Sequence, residues 1–169
     1  TVARYIHQEN TVNQCFPEYK RICLIKTSTS SGENFLGGYR SGLEKDPDVE
    51  QFTVIYQISD MPVLFGEQEI AANTFSVDST FFKIFPYRVI AGSGRIVRPR
   101  DVVITRSFWK KKLGGKNAIG ATFKNTKGNK FTIIGVVDDP DTKTSWMPDI
   151  FMSDELDEFL FFDPIYAML

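Results

Sequence analysis

A succession of short elements between Ser76 and Pro140 constrains the fold of this chain more than any other feature. Asp78 or Ser79 can cap a short aromatic helix, and Pro86 ends it because proline cannot continue a helix. The strand-like segment DVVIT then runs into RSFWKKKL, a helix pattern that a double glycine closes. A hairpin leads into the apolar strand KFTIIGVV, which ends in acids. This alternation predicts an α+β domain rather than a helical bundle or a β-sandwich.

Enrichment in β-branched and apolar residues predicts five main strands. They are Tyr19–Thr27, Val49–Ile58, Glu69–Val77, Val102–Thr105 and Lys130–Val137. Weaker patterns predict further strands at Met61–Phe65, Tyr87–Ala91, Thr122–Asn125, Trp146–Met152 and Ile165–Leu169. Helical spacing and capping residues predict helices at Phe35–Lys45, Phe81–Phe85 and Arg106–Leu113, and a helical turn at Asp154–Leu160.

The composition supports a folded core. Of the 169 residues, 42% are hydrophobic and 15 are phenylalanine. Because strand segments outnumber the helices that lie between them, we predict an α+β fold of mixed sheets with short helices. We expect two lobes, a βαβ-type lobe and a second small lobe, with boundaries near residues 66–69 and 92–99. Residues 1–169 are interpreted as one domain.

The helix after DVVIT has one apolar face. Trp109 and Leu113 stand at i and i+4, and we predict that they bury this face and leave Lys110, Lys111 and Lys112 in water. On this interpretation Trp109→Ala costs about 3–5 kcal/mol of stability through lost core area.

Two glycine motifs resemble nucleotide sites but lack residues that such sites need. Gly92-Ser93-Gly94 has no third glycine and no long helix after it, so it predicts a turn. Gly114-Gly115-Lys116-Asn117 resembles the end of a P-loop, but Lys110 stands where the first glycine belongs and Asn117 replaces the magnesium-binding Ser/Thr. We therefore expect no cofactor, and any ATP chemistry to lie on another chain or domain.

The chain offers no catalytic constellation. His7 is the only histidine, so it cannot supply a three-histidine metal site or a convincing triad. Asp138, Asp139 and Asp141 form the best acidic cluster. It is either a solvated turn held rigid by Pro140, which we favour, or a calcium site, because carboxylate oxygens are hard ligands. We predict no catalytic and no metal site, and a chain that is not an enzyme.

Cys15 and Cys23 fit no zinc or thioredoxin spacing. They form either a disulfide across a short loop or free thiols, and the apolar neighbours of Cys23 favour a buried free thiol.

The charges are mixed, with a formal net charge of −1, which predicts no nucleic-acid partner. Arg95, Arg98 and Arg100 form a small basic cluster near three lysines. It is either a set of solvated faces, which we favour, or a phosphate or lipid-headgroup site. No apolar run approaches the roughly 20 residues that span a bilayer.

Two stretches predict an interaction surface. Phe159–Phe162 places four apolar residues in succession, which cannot all face one side of a helix or strand. Thr27–Gly32 reads as a surface loop rich in small polar residues. The candidate partner contacts are Phe161, Phe162, Ser30 and Ser31.

The ordered elements from Asn73 to Asp139 resemble the MacB-like periplasmic core domain of MacB/FtsX-type ABC transporter permeases. The residues that match the family pattern are Asp78, Phe81, Phe82, Phe85, Gly92, Val102, Val103, Ile104, Leu113, Gly114, Ile119, Gly120 and the run Ile133–Pro140, with Leu43 and Pro47–Val49 upstream. Because the family domain normally continues beyond Ile165 and Tyr166, we interpret the chain as an excised piece, incomplete at its C-terminal end.

The resemblance implies a periplasmic, extracytoplasmic domain of an inner-membrane permease, between its first and second membrane helices. Such a domain is not an enzyme. It couples ATP-driven change in the cytoplasm to a substrate or partner outside, in mechanotransmission or efflux. The implied partners are its own flanking membrane helices, a second permease copy, the cytoplasmic ATPase indirectly, and a periplasmic adaptor, lipoprotein or peptide. The alternative is a small-ligand or peptide binding module of the cell envelope, which needs a concave pocket with convergent polar groups.

Overall fold

The computed structural model describes residues 13–29, 32–35, 40–58, 62–153 and 164–169. The strands of this part are β1 (Ile22–Thr29), β2 (Gly32–Phe35), β3 (Gln51–Ile58), β4 (Val63–Phe65), β5 (Gln68–Ile70), β6 (Thr74–Val77), β7 (Val89–Gly92), β8 (Asp101–Thr105), β9 (Thr122–Asn125), β10 (Lys130–Val137), β11 (Ile150–Ser153) and β12 (Ile165–Met168). The helices are α1 (Arg40–Leu43), α2 (Phe81–Ile84) and α3 (Arg106–Lys112).

The strands pair along one mixed path, in the order β2-β1-β12-β3-β6-β11-β8-β10-β9-β4-β5, and β7 pairs with β10 beside this path. The pairs β8–β10 and β6–β11 are parallel, and the others are antiparallel. The α+β prediction is confirmed. The crossover from β8 through α3 to β10 is the expected βαβ-type unit, with β9 inserted before its second strand. The boundaries near 66–69 and 92–99 stay predictions.

Two hydrophobic clusters cover opposite faces of the sheet. Val102 and Ile104 belong to one and Val103 to the other, because successive residues of a strand point to opposite sides. The first, here the aliphatic cluster, is completed by Val63, Ile70, Ala72, Phe108, Ala118, Phe123, Phe131, Ile133, Val136, Ile150 and Met152. The second, here the aromatic cluster, is completed by Phe16, Ile55, Phe75, Val77, Phe81, Ile84, Phe85, Val137, Trp146, Phe151 and Tyr166.

The aromatic helix α2 is anchored as its sequence suggests. Phe81 and Phe85 are fully buried, and their rings lie 5.3 Å apart between centroids. Thr80, rather than Asp78 or Ser79, occupies the N-cap position, and its side chain makes no capping bond. Asp78 instead accepts from the Thr80 amide at 2.9 Å and from the Val54 amide at 3.1 Å, which ties the start of α2 to β3.

Helix α3 begins and ends where its sequence predicts, but it buries a different side chain. The Thr105 hydroxyl accepts from the Phe108 amide at 3.4 Å, and Gly114 follows the helix with φ +65°. Phe108 is buried, at 1% exposure, whereas Trp109 and Leu113 are only half-buried at the margin of the aliphatic cluster. Trp109 and Leu113 pack against the core as predicted, although they are only partly buried. The three lysines Lys110, Lys111 and Lys112 are exposed, also as predicted. The sequence interpretation missed Phe108, which is the fully buried side chain of the helix.

The segment from Thr27 to Lys45 departs most from prediction. Strand β1 continues to Thr29, because its second half pairs with β2 from Lys26↔Phe35 to Thr29↔Gly32. Of the predicted helix Phe35–Lys45, the described residues are helical at Arg40–Leu43, and Phe35 is instead the last residue of β2. Pairing of Phe35 with Lys26 overrides the predicted helix at this residue.

The predicted strand Glu69–Val77 is in fact two strands, β5 and β6. Asn73 interrupts it, because its amide donates to Asp149 Oδ2 at 2.9 Å and its carbonyl oxygen accepts from the Asp149 amide at 2.8 Å. Strand β5 pairs with β4 at one end of the path, whereas β6 lies between β3 and β11.

Several predicted strands begin late, among them β1 at Ile22, β3 at Gln51, β7 at Val89 and β11 at Ile150. Residues 13–21 form hydrogen-bonded turns instead, such as the bond from the Phe16 amide to the Asn13 carbonyl oxygen. Cys15 and Cys23 are free thiols, and both are only half-buried. The helical turn predicted at Asp154–Leu160 lies outside the described residues.

Candidate functional site

The candidate partner contacts Ser30, Ser31, Phe161 and Phe162 all lie outside the described residues. Of the surface loop predicted at Thr27–Gly32, the described residues belong to β1 and β2. The partner surface assigned from the sequence stays a prediction.

The acidic turn after β10 is built from structural contacts. Within the described residues, no group of three or more His, Cys, Asp or Glu side chains is arranged to hold a metal ion, and His7 lies outside them. Asp139 Oδ2 accepts from the Ser107 amide at 2.9 Å, at the first turn of α3. The turn is half-buried and bonded to its neighbours rather than simply solvated.

Asp138 joins three elements at this turn. Its carboxylate accepts a hydrogen bond from Arg88, and it pairs with Arg106 Nε at 3.1 Å. Its amide donates to the Arg88 carbonyl oxygen at 2.8 Å. The hydrogen bond from Arg88, with Arg106 beside it, lowers the pKa of Asp138 below its ordinary value. Asp138 thus fixes the end of β10 to the start of α3 and to the segment before β7.

The glycine turn after β7 contacts the sheet backbone. The Ser93 amide donates to the Ile134 carbonyl oxygen at 2.8 Å. Gly92 has φ +69°, and a Cβ on it would lie 2.2 Å from that same oxygen. Only glycine allows this approach. The turn prediction for Gly92-Ser93-Gly94 is confirmed, with the Ser93 hydroxyl accepting from the Arg95 amide at 3.1 Å.

A cleft of about 300 Å³, here the α2 cleft, opens between α2 and this turn. Its apolar lining includes Phe82, Tyr87, Val89 and Ile96, and its cationic lining is Lys83 and Arg95. Val89 is 46% exposed. Asp78 also lines the cleft, but its carboxylate already accepts from Thr53 Oγ1, the Val54 amide and the Thr80 amide.

A second cleft of about 320 Å³, here the acidic cleft, lies on the other side of Pro86 and Tyr87. Cys15, Arg88, Asp138, Asp139 and Asp141 line it. Two of its acids already have partners, because Asp138 is paired with two arginines and Asp139 accepts from the first turn of α3.

Tyr87 separates the two clefts. Its hydroxyl accepts from Trp146 Nε1 at 3.1 Å, and its ring lies 5.2 Å from that of Phe151 between centroids. Burial raises the pKa of Tyr87, against the smaller lowering effect of the Trp146 bond, so its hydroxyl stays neutral. The wall between the clefts is therefore packed and uncharged.

The first and last described strands are joined at one end of the sheet. Ile22 of β1 pairs with Met168 of β12, and β12 lies between β1 and β3. Arg21 Nε donates to the Leu169 carbonyl oxygen at 2.6 Å, the Leu169 amide donates to the Arg21 carbonyl oxygen, and Arg21 also pairs with Glu50. No described helix is long and apolar enough to cross a membrane.

The family model for the MacB-like periplasmic core domain matches residues 8–168. The chain belongs to this family. The predicted resemblance is confirmed, and the chain is a periplasmic domain of a MacB/FtsX-like ABC transporter permease. The family is one of transporter domains and is not a known enzyme family.

Solved structures share the fold of this MacB-like domain. A domain of a protein assigned as a permease from Porphyromonas gingivalis has a TM-score of 0.75 at 20% identity, over 91% of this chain and 77% of that one. The periplasmic region of MacB from Actinobacillus actinomycetemcomitans has a TM-score of 0.66 at 14% identity, over 93% and 80%. The extracellular domain of the noncanonic ABC-type transporter YknZ from Gram-positive bacteria has a TM-score of 0.61 at 12% identity, over 87% and 81%. A comparison with curated protein sequences finds no significant match.

Lys83 was not singled out from the sequence, and Arg95 was noted only as part of the basic cluster with Arg98 and Arg100. Lys83 and Arg95 stand twelve positions apart, on either side of β7, and only the fold brings them to one cleft. The structural role of Arg21 likewise follows only from its contacts with Leu169 and Glu50. A proline directly after an aromatic helix was the available signal for the α2 cleft, since Pro86 forces the chain to turn there.

Proposed function

We propose that this MacB-like domain transmits conformational change between the membrane helices of its permease and a partner outside the membrane. Family membership supports the permease context. The proposal requires a body that moves as a unit and a firm connection to the membrane segments.

The observation that carries the proposal is the placement of β12. Strand β12 is hydrogen-bonded on both sides, to β1 from Ile22↔Met168 to Ile25↔Ile165 and to β3 from Ile165↔Val54 to Met168↔Gln51. A displacement applied to β12 is therefore shared between two ladders rather than absorbed by one edge.

The interior supports the same role. The sheet path is continuous from β2 to β5, and a packed hydrophobic cluster covers each face. Because protein interiors are close-packed, such a body passes strain on instead of deforming locally. The contacts of Arg21 with Leu169 and Glu50 lock together the ends of β1 and β12.

A flexible insertion tests the connection. In the full-length permease with its ATPase, a Gly-Gly-Ser-Gly-Gly-Ser insertion in the segment that joins the domain to the following membrane helix should abolish transport-linked activity. Membrane insertion and basal ATP hydrolysis should persist, because the domain itself still folds. The matched control is the same insertion between Lys127 and Gly128, in the exposed turn between β9 and β10, which should leave coupling intact. If the first variant keeps as much transport-linked activity as the control variant, a rigid connection is not required.

The outer contact belongs to the same proposal. Phe161 and Phe162, together with Ser30 and Ser31, are the proposed partner-facing residues. Charged substitutions at Phe161 and Phe162 in the full-length transporter should remove transport-linked activity and spare basal ATP hydrolysis. Wild-type behaviour of those variants would reject this surface while leaving the β12 connection untouched.

A further inference from the structure

We propose that the α2 cleft binds the C-terminal residue of a peptide, through its carboxylate and an apolar side chain. This inference concerns a ligand of the domain itself, and it is independent of the mechanical role proposed above.

The charges of the cleft favour an anion. Lys83 and Arg95 both line it and both are exposed, and within the described residues neither makes a salt bridge or a side-chain hydrogen bond. The carboxylate of Asp78 is bonded to Thr53, the Val54 amide and Thr80 rather than to either cation. Two cations against one carboxylate leave the cleft with an excess of positive charge and of donors. A carboxylate accepts charge-assisted bonds from such donors.

The walls of the cleft favour an apolar group beside that anion. Phe82, Val89 and Ile96 line it together with the face of Tyr87. The Tyr87 hydroxyl oxygen accepts from Trp146 Nε1, and the ring face contributes apolar contact area to the cleft. Sites that combine apolar walls with a few placed charges are typical of ligand pockets.

The small volume of the cleft favours a C-terminal carboxylate over the side chain of an internal acidic residue. At about 300 Å³ the cleft requires the ligand to present its charge and its apolar group a few ångströms apart. The last residue of a peptide carries both on one Cα. In an extended internal segment, an acidic residue and its apolar neighbour point to opposite sides of the chain. A free apolar C-terminus therefore fits better than an internal acidic residue.

Calorimetric titration of the 169-residue chain tests the proposal with three peptides. N-acetyl-Ala-Ala-Phe with a free carboxylate should bind with a dissociation constant of about 1 mM or tighter, the weak range of a short ligand in a small cleft. The same peptide with a C-terminal amide should bind about tenfold more weakly, because it lacks the charge. N-acetyl-Ala-Phe-Glu-Ala-amide should bind no better than the amide. Absence of saturable binding by the free acid, or equal binding of either of the other two peptides, overturns the proposal.

Variants assign the binding to this cleft. Lys83→Gln and Arg95→Gln should each weaken binding of the free acid by about fivefold to tenfold, with unchanged melting temperatures because both side chains are exposed. Val89→Asp places a negative charge in the cleft and should remove binding. Lys111→Gln is the matched control, since it removes an exposed cation of α3 outside the cleft. Wild-type binding by both cleft charge variants, or an equal loss in the control, would assign the effect to another site or to general electrostatics and reject the proposal.

Discussion

Replacing Gly135 with alanine should destabilise the domain because β10 and the turn after β7 touch there. Gly135 pairs with Gly92 in β7 and lies where the register between β10 and β8 shifts. A Cβ on Gly135 would lie 1.7 Å from the Ser93 carbonyl oxygen, whereas real Cβ contacts stay above 3.0 Å. The obstacle is backbone, so strand or turn must move by roughly 1.3 Å, the difference between these two distances.

The size of the effect follows from three contributions. Overpacking a well-packed site costs about 1–3 kcal/mol. The movement also strains the 2.8 Å bond from the Ser93 amide to the Ile134 carbonyl oxygen, which adds about 1 kcal/mol if the bond is lost. Alanine offsets about 0.4–1 kcal/mol of this by restricting the unfolded chain. The net loss should be about 1–3.5 kcal/mol, or a melting temperature lower by roughly 2–14 °C for a chain of this size.

Urea denaturation followed by tryptophan fluorescence measures this loss, and an unchanged m-value is needed to compare the variants. Gly66→Ala is the matched control. No atom lies within 4 Å of a Cβ built on Gly66, but its φ is +63°. Its cost should therefore be only the roughly 1–2 kcal/mol of left-handed backbone strain. If Gly135→Ala costs no more than Gly66→Ala, the close approach of Ser93 is not what requires glycine in β10.

Two further predictions test the core and the acidic turn. Phe108→Ala should cost about 3–5 kcal/mol in urea denaturation because its ring is buried, and Lys111→Ala on the exposed face less than about 0.5 kcal/mol; similar losses would contradict the orientation of α3. Asp138→Asn should lower the melting temperature at pH 7, because hydrogen bonding by Arg88 lowers the pKa of Asp138 from its ordinary 3.8. A carboxylate with a lowered pKa in the native state stabilises the fold above its unfolded pKa, and this contribution is lost as pH falls through the native pKa. The difference in melting temperature between wild type and Asp138→Asn should therefore shrink below pH 3.8. A difference that stays constant from pH 7 to pH 3 would refute the ion-pair explanation.

Elements whose signals are local could be predicted from the sequence. Thr105 and Gly114 mark the two ends of α3, and the turn Thr126–Asn129 joins β9 to β10 as expected. Capping and turn residues act on backbone groups a few positions away, so their effect does not depend on the rest of the fold. The ordered set of such elements was enough to identify the family.

The candidate site was predicted less well. The acidic run after β10 was recognised, but its partners Arg88 and Arg106 were not, since they come from different elements. The α2 cleft had no motif of its own, because Lys83 and Arg95 are ordinary surface residues until β7 and the glycine turn bring them together. Clefts depend on how elements pack against one another, and no single stretch of residues predicts that packing.

Periodicity, capping and turn chemistry were therefore enough to predict the type and order of most elements. Three features could not be predicted in this way: the division of residues 69–77 at Asn73, the burial of Phe108 rather than Trp109, and the position of β12 between β1 and β3. Each of these depends on a partner far away in the chain, such as Asp149 for Asn73. Strand register and burial are fixed by hydrogen bonds and contacts with such distant partners, which local propensity does not encode.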